Sequence, residues 1–511
     1  MEIRMTDRAK IYWIMIIAAA SRIIGIGVYP VGIHADEAYA GYEAYAMLQD
    51  GMDSWGYHNP VYLTVWGSGM SVLESLLMMP FIKIGGLNLT MIRMPQMILG
   101  VLSVLVLYLL LKKISSPQMA LWSAFLLAVS PWHIMMSRWG LDANLAPAFI
   151  LFAMYFSVWG LEKERYFILA ALFWGIALYT YALTWIFVPA FLTLSSLYGI
   201  KCGRIKITKN IWTAVVILGL TALPLMMFVA VNIGILPEIK TQYFSIPRLA
   251  EFRSDELTFS NIAMNIRDLL RIYIKQNDYS LMNTIPYFGL YYLFTIPFML
   301  LGGWRCLADT VTDLRDKKFG YDVFLLIWLL ICAVTGIMRS MNAYRANVMN
   351  LAVLLLIAKG ICWLCWKYRE KWVHKSLVLL YVLSFGLFEA YYFTAYQEEI
   401  KDIQKAGLEQ ALMYAMELRT ENNAETIHVS DRIPHPQILF YAKCPVEVFR
   451  STVKWKNYPA KWVYAERFDC FVWDEEAMDG KIFLISEQDI ERYAKAGYHT
   501  EQFEACGVAY W

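Results

Sequence analysis

Just past the first long apolar stretch of the chain stands His34-Ala35-Asp36-Glu37. Two carboxylates placed where a membrane span meets water can do general-base chemistry on a hydroxyl, one taking the proton and the other supporting it. The plainer reading is a helix start, with Asp36 as its cap and Glu37 favouring the helix dipole. Between Ala38 and Gly69 the sequence is polar and aromatic, with Tyr39, Tyr42, Glu43, Tyr45, Trp55, Tyr57, His58 and Trp66. Further on come the turn Ser137-Arg138-Trp139-Gly140-Leu141-Asp142 and the pair Arg339 and Arg345. Arginines can hold and stabilise a phosphate leaving group through charge-assisted hydrogen bonds. Trp55, Tyr57 and Trp66, with His58, could stack on or bind sugars, although such aromatics also form interfacial belts. Singly, Asp142 reads as a helix cap, and Arg138 and Arg345 as snorkelling anchors. Jointly, charges at a hydrocarbon boundary are costly and face a cavity or one another. Asp36, Glu37 and Asp142, with Arg138, Arg345 and Arg339 on the same face, predict a catalytic cavity.

Those residues need a membrane scaffold, and the composition supplies one. The 511 residues are 59% hydrophobic and 17% charged, against about a quarter charged in soluble domains. The net charge of +2 is not pooled in any basic patch, so no nucleic-acid partner is expected. The basic residues instead fall in short clusters between apolar runs, as orientation signals do. Arg4, Arg8 and Lys10 place the N-terminus in the cytoplasm, and Ile11 to Val28 reads as a retained anchor without a cleavage site. Later spans alternate with basic clusters such as Lys112-Lys113, Lys201 to Lys209, and Lys367, Arg369, Lys371 and Lys375. The pattern predicts an all-α polytopic domain of about eleven transmembrane helices over residues 1–393. It has a first external loop at 29–90 and a large one at 232–283. Within the first, Ser68 to Leu87 is expected to lie along the interface or re-enter. Within the second, Ile262 to Ile274 has helical periodicity.

From Thr394 the composition changes. A small extracytoplasmic α/β domain is predicted over 394–511. Its expected elements are an amphipathic helix at Gln397 to Leu418, short strands at Thr426–Val429, Val446–Phe449, Phe468–Trp473 and Lys481–Ile485, and a helix after Ser486. Cys444, Cys470 and Cys506 leave room for one disulfide if this segment is outside, and Cys362-Trp-Leu-Cys365 lies in an apolar helix without redox context.

The order of motifs resembles a known family. The chain has an Asp-Glu pair in a first external loop, then Gly51, Asn59-Pro60 and Trp66-Gly67-Ser68-Gly69. Arg93-Met94-Pro95 and Ser130-Pro131-Trp132-His133 follow, with Ser137-Arg138 and Asp142 after them. It is similar to the dolichyl-phosphate-mannose–protein mannosyltransferases of glycosyltransferase family 39 and their bacterial relatives, which include the aminoarabinose transferases. The resemblance is closest over residues 11 to 200. It implies the C-type glycosyltransferase fold, a polyprenyl-monophosphate sugar donor and inverting transfer to an extracytoplasmic hydroxyl of a glycan, lipid or protein. On this resemblance Asp36 is the catalytic acid-loop residue and Glu37 its companion. Asp142 is the second acid, and Arg138 lies near the donor phosphate. Some members hold a divalent metal and others none; His34, Asp36, Glu43 and His58 are the residues here that could supply ligands. The C-terminal region departs from the sugar-binding insertion of the eukaryotic enzymes, and Arg339 to Arg345 match no family motif.

A transporter or flippase of lipid-linked sugars is the rival from another class. It would suit the outer arginines, but the chain shows no internal repeat and its charges gather at one interface, not at mid-membrane. A non-catalytic scaffold leaves the acid pair unexplained.

Overall fold

The computed structural model describes residues 6–252, 261–368, 371–474 and 481–511. Arg4, Arg369 and the stretch 253–260 of the large loop lie outside the described residues. The first helix, α1 (Asp7–Ile23), starts where the Thr6 side chain accepts the Ala9 N–H at 3.2 Å. It stops at Ile23, short of the expected Val28, and Gly25 turns the chain with a left-handed φ of +63°. In α2 (Ala35–Asp50) the cap is His34, not Asp36: its Nδ1 accepts the Asp36 N–H at 3.2 Å. That leaves the Asp36 carboxylate for other work.

The interrupted apolar stretch forms α3 (Leu73–Gly85), followed by α4 (Leu89–Ile114), α5 (Pro117–Val129) and the short α6 (Pro131–Met136). A 3-10 turn at Asp142–Leu145 leads into α7 (Ala146–Gly160), then α8 (Tyr166–Ala177), α9 (Thr184–Lys201) and α10 (Lys209–Asn232). The large loop carries a two-stranded ribbon, β1 (Ile239–Lys240) and β2 (Ser245–Ile246), and the predicted helix, α11 (Ile262–Leu270). The bundle closes with α12 (Ile296–Arg315), α13 (Asp322–Met338), α14 (Asn347–Tyr368) and α15 (Lys371–Tyr392). Among the described residues five helices are long and apolar enough to cross a bilayer, and α5, α8 and α13 are shorter apolar helices. Helices α12 and α14 touch through glycines. A Cβ on Gly302 would lie 1.8 Å from the Leu356 carbonyl oxygen, and one on Gly360 2.0 Å from that of Phe298. Small residues allow this approach, as between helices in lipid.

The C-terminal region begins with α16 (Ala395–Ile400) and α17 (Leu408–Glu421), where a single helix was expected. Gly407 separates them at φ +79°, pressed so close to Phe503 that a Cβ would meet its carbonyl oxygen at 2.0 Å. Next come β3 (Ile427–Val429), α18 (His435–Ala442), α19 (Val446–Thr452), β4 (Lys454–Trp455), β5 (Ala465–Phe468), β6 (Phe471–Val472) and β7 (Ile482–Ser486). The chain ends with α20 (Ile490–Lys495), β8 (His499–Phe503) and β9 (Cys506–Tyr510). Seven strands form one sheet in the order β4-β5-β6-β3-β7-β9-β8, with β3 parallel to both β6 and β7 and the other pairs antiparallel. The expected strand at Val446–Phe449 is helical, because Val446 and Phe449 bury one face at a spacing of three. The expected strand at 468–473 is a reversal at Asp469 (φ +47°), so Phe468 pairs with Phe471. All three cysteines of this region are free and buried, so the disulfide does not form.

The sheet does not hang free of the bundle. Tyr39, Tyr42, Leu63 and Trp66 of the segment after α1 share one hydrophobic core with Leu408, Ile438, Phe449 and Leu484. The Tyr42 hydroxyl donates to the Cys444 carbonyl at 2.9 Å, and Gln437 Nε2 donates to that of Ile33 at 2.6 Å.

Candidate active site

Asp36 occupies the first turn of α2, with its side chain 28% exposed. The Trp66 indole Nε1 donates to its Oδ1 at 2.7 Å, and His34 Nδ1 lies 3.8 Å from its Oδ2. Trp66 is held there by strain and by pairing. Its φ is +60°, an uncommon conformation for an aromatic residue, and the Val463 N–H donates to its carbonyl at 2.8 Å. Gly67 follows at φ +87°, and a Cβ there would meet the Ala460 carbonyl oxygen at 2.3 Å. The Trp66 ring packs against Tyr39, His435 and Trp462 at 5.2, 5.5 and 5.7 Å between centroids. Burial pushes the His435 imidazole down to about 3, so it sits there neutral. One wall of the site therefore belongs to the C-terminal domain.

Glu37, next in sequence, faces inward and is fully buried. Arg93 donates to it from Nε at 2.9 Å and Nη2 at 3.1 Å, and the Gly140 N–H donates to its Oε1 at 2.8 Å. Arg93 also reaches the carbonyls of Pro30 and Gly32 at 3.0 and 2.9 Å. This pair ties α2, the chain before it and the turn that carries Asp142. The His34 and Trp139 rings, 5.3 Å apart, make a second tie. Asp142 is 6% exposed; its Oδ2 accepts the Ser71 N–H at 3.2 Å and its Oδ1 the Ala143 N–H at 2.7 Å. It lies inside the 3-10 turn, with Leu141 at the cap position. Asp36 and Asp142 thus belong to segments clamped to each other.

The arginines divide. Arg138, expected beside donor phosphate, is buried behind the site and donates to four carbonyls, of Ser21, Arg22, Ile24 and Tyr29, at 2.8 to 3.2 Å. The first three are at the end of α1 and the fourth is in the turn beyond it, and together they occupy the fork that would have gripped phosphate. Arg339 and Arg345 are half-buried in the link between α13 and α14. Tyr181 lies within electrostatic reach of both, and of Asp142. Arg345 Nη1 donates to the Ser340 carbonyl at 3.1 Å.

The expected sugar-binding aromatics are also split. Trp66 is at the carboxylate. Trp55 is stacked on Trp455 at 4.7 Å. The Tyr57 hydroxyl donates to Glu238 of the large loop at 2.7 Å, and His58 stands near Asp50 at the far end of α2. Glu43 is turned away to accept the Ser54 N–H at 2.7 Å. Among the described residues no group of three His, Cys, Asp or Glu is placed to hold a metal, so His34, Asp36, Glu43 and His58 do not converge. Burial pushes Glu43 up to about 8 and its neighbour Asp53 up to about 7.

Sequence reading missed Arg93, Gln96, Glu74 and Tyr181. Glu74 had a signal, being one acid within an otherwise apolar helix. Arg93 had one too, as a charge in an apolar span and the first residue of the Arg93-Met94-Pro95 motif, whereas Gln96 and Tyr181 had none. A cavity of about 990 Å³, lined mainly by apolar side chains, lies elsewhere. Its wall includes Ser115 and Ser116, and α4 rises about 33 Å from Arg93 to Ser115. It lies at the other end of the bundle from Asp36, and Arg305, Asp309, Asp322 and Lys359 also line it.

Residues 72–228 match the family model described as dolichyl-phosphate-mannose-protein mannosyltransferase. Over the whole length the structure is similar to ArnT from Cupriavidus metallidurans in the apo state, with 11% identity, a TM-score of 0.57, and 98% of this chain and 97% of that one covered. The fold is that of a C-type membrane glycosyltransferase. The ArnT structure bound to undecaprenyl phosphate aligns at 12% identity and a TM-score of 0.55, covering 98% and 97% of the two chains. An oligosaccharyltransferase from Archaeoglobus fulgidus, in complex with zinc and sulfate, aligns at 12% identity and 0.51, covering 94% of this chain and 69% of that one. None of the curated proteins matches the chain in sequence. The match over 72–228 takes in Arg93, Arg138 and Asp142, while Asp36 precedes it. This C-type fold packs its first loop against the C-terminal sheet, and Asp36 stands at their junction.

Proposed function

We propose that the protein is a membrane glycosyltransferase that moves a sugar from a polyprenyl-phosphate donor to an extracytoplasmic hydroxyl, with inversion. The observation that carries this reading is the part-exposed Asp36 carboxylate, aimed by Trp66 at the junction of first loop, Asp142 turn and C-terminal domain. The fold, the family match and the undecaprenyl phosphate held by one ArnT structure support the donor class. In the reaction the acceptor oxygen attacks the anomeric carbon and its proton passes to Asp36. The bond from that carbon to the phosphate oxygen breaks, and the electron pair leaves with polyprenyl phosphate. Arg345 and Arg339 would offset the charge of that phosphate. Asp142 would orient the acceptor, and Glu37 with Arg93 would hold Asp36 in place. The basic clusters favour a cytoplasmic N-terminus and an outer C-terminal domain.

The test follows release of polyprenyl phosphate by purified protein in lipid across a panel of polyprenyl-phosphate sugars. Asp36→Asn is expected to lower the turnover number by about 10²–10⁴, the usual share of a general base, while the protein stays folded. Near-normal turnover by that variant removes Asp36 from the role, and no release with any donor removes the reading.

A further inference from the structure

Glu74, on α3, has its carboxyl fully buried. Gln96 Nε2 donates to its Oε2 at 2.7 Å and also to the Leu141 carbonyl at 3.0 Å. Glu74 Oε1 receives no hydrogen bond. It looks onto Gly140, where a Cβ would lie 3.3 Å from that oxygen and 2.5 Å from Met78 Cε. On the other side of the same glycine, Glu37 accepts the Gly140 N–H. The turn Trp139–Asp142 is therefore held between two buried acids. One is paired with Arg93; the other takes a neutral amide. A buried carboxyl oxygen without a partner is costly, and an apolar side chain would fill the space more cheaply.

We propose that Glu74 is a positioning residue for Asp142: with Gln96 it fixes the turn Trp139–Asp142, and so the placement of the second acid relative to Asp36. The inference rests on the reading above for the use of Asp142, but the placement can be measured without it. The ionisable groups facing Glu74 are Asp142 in the turn and Glu37 on α2, the latter already tied to Arg93. Burial, and then the Asp142 and Glu37 charges, push its carboxyl well above the usual range. Ionising it would set a third negative charge against Glu37 and Asp142. The turn should loosen as pH rises.

Deuterium uptake by the 139–145 peptide of the full-length protein, corrected for intrinsic exchange, reads this directly. Wild type is expected to show uptake that climbs with pH, and Glu74→Gln, neutral throughout, a flat profile. The turnover number of wild type should fall on the alkaline side while that of Glu74→Gln does not. Glu74→Ala should lose about tenfold in turnover with donor KM within about twofold, the split of a residue acting on the transition state rather than on binding. Identical uptake profiles for wild type and Glu74→Gln would overturn the inference, whether or not Glu74→Ala folds. Flat turnover in both would do the same. Loss of Asp36 dependence, with the uptake difference intact, would strike only the functional reading.

Discussion

Two charged clusters stand at opposite ends of the same helix bundle. Far from Asp36, Lys359 Nζ lies 2.9 Å from Asp309 and 2.8 Å from Asp322, and Arg305 lies 2.6 Å from Asp309. Each charge there has its opposite, and three helices are tied by it. Around Asp36 the acids outnumber the cations they touch: Glu37 has Arg93, Glu74 has an amide, and Asp36 has an indole and a histidine. Charge inside a membrane protein does not by itself mark a site. What separates the two ends is charge balance: the cluster at Lys359, which lines the cavity of about 990 Å³, pairs each charge with its opposite, whereas Asp36 stays 28% exposed with an indole and a histidine beside it.

Glu37→Gln should break this contrast most severely. Removing one partner of a buried pair leaves Arg93 uncompensated, at a cost of about 3–5 kcal/mol, so thermal unfolding in detergent should shift strongly and turnover should be lost with it. Lys359→Met at the other end should also destabilise, by about 1–3 kcal/mol because its partners are part-exposed. The folded fraction should keep its turnover number, which a release assay normalised to folded protein measures. Arg345→Ala should raise donor KM about tenfold through a lost charge-assisted contact. Arg138→Met should leave donor KM unchanged and lower the unfolding temperature instead. A different kind of effect is a pH slope. Glu43 is held at about 8 when folded, against an ordinary value of 4.5, so the folded state keeps a proton that the unfolded chain gives up. Its contribution is complete below the unfolded value and declines as pH rises toward 8, by at most about 1.4 kcal/mol per pH unit. Glu43→Gln should flatten that decline in melting temperature between pH 5 and 8.

The two arginine expectations show where sequence reading stops. A mostly helical, apolar membrane domain followed by a smaller sheet-bearing region was legible, because hydropathy and composition set it directly; of the expected spans, five helices among the described residues are long and apolar enough to cross a bilayer. Arg138 was expected near the donor phosphate on the family resemblance, and a guanidinium serves carbonyls as well as phosphate. Which it meets depends on α1 stopping at Ile23, a break written in Gly25 but visible only once the helix end is seen beside Arg138. Val446–Phe449 was equally ambiguous, since a run of four apolar and polar residues fits either period. Glu74 and Gln96 act through contacts across three segments, which no local pattern encodes.

The core shared by residues 33–92 and 408–508 sets an order for biosynthesis. The first loop emerges early, yet Ile33, Tyr42 and Trp66 wait for partners near Gln437, Cys444 and Val463. Those arrive only after every span has been threaded into the membrane. Until the last hundred or so residues are made and delivered to the same side, Trp66 has no backbone partner in the sheet and Asp36 no fixed orientation. The junction that sets Trp66 against Asp36 is therefore completed only when the tail of the chain has been made.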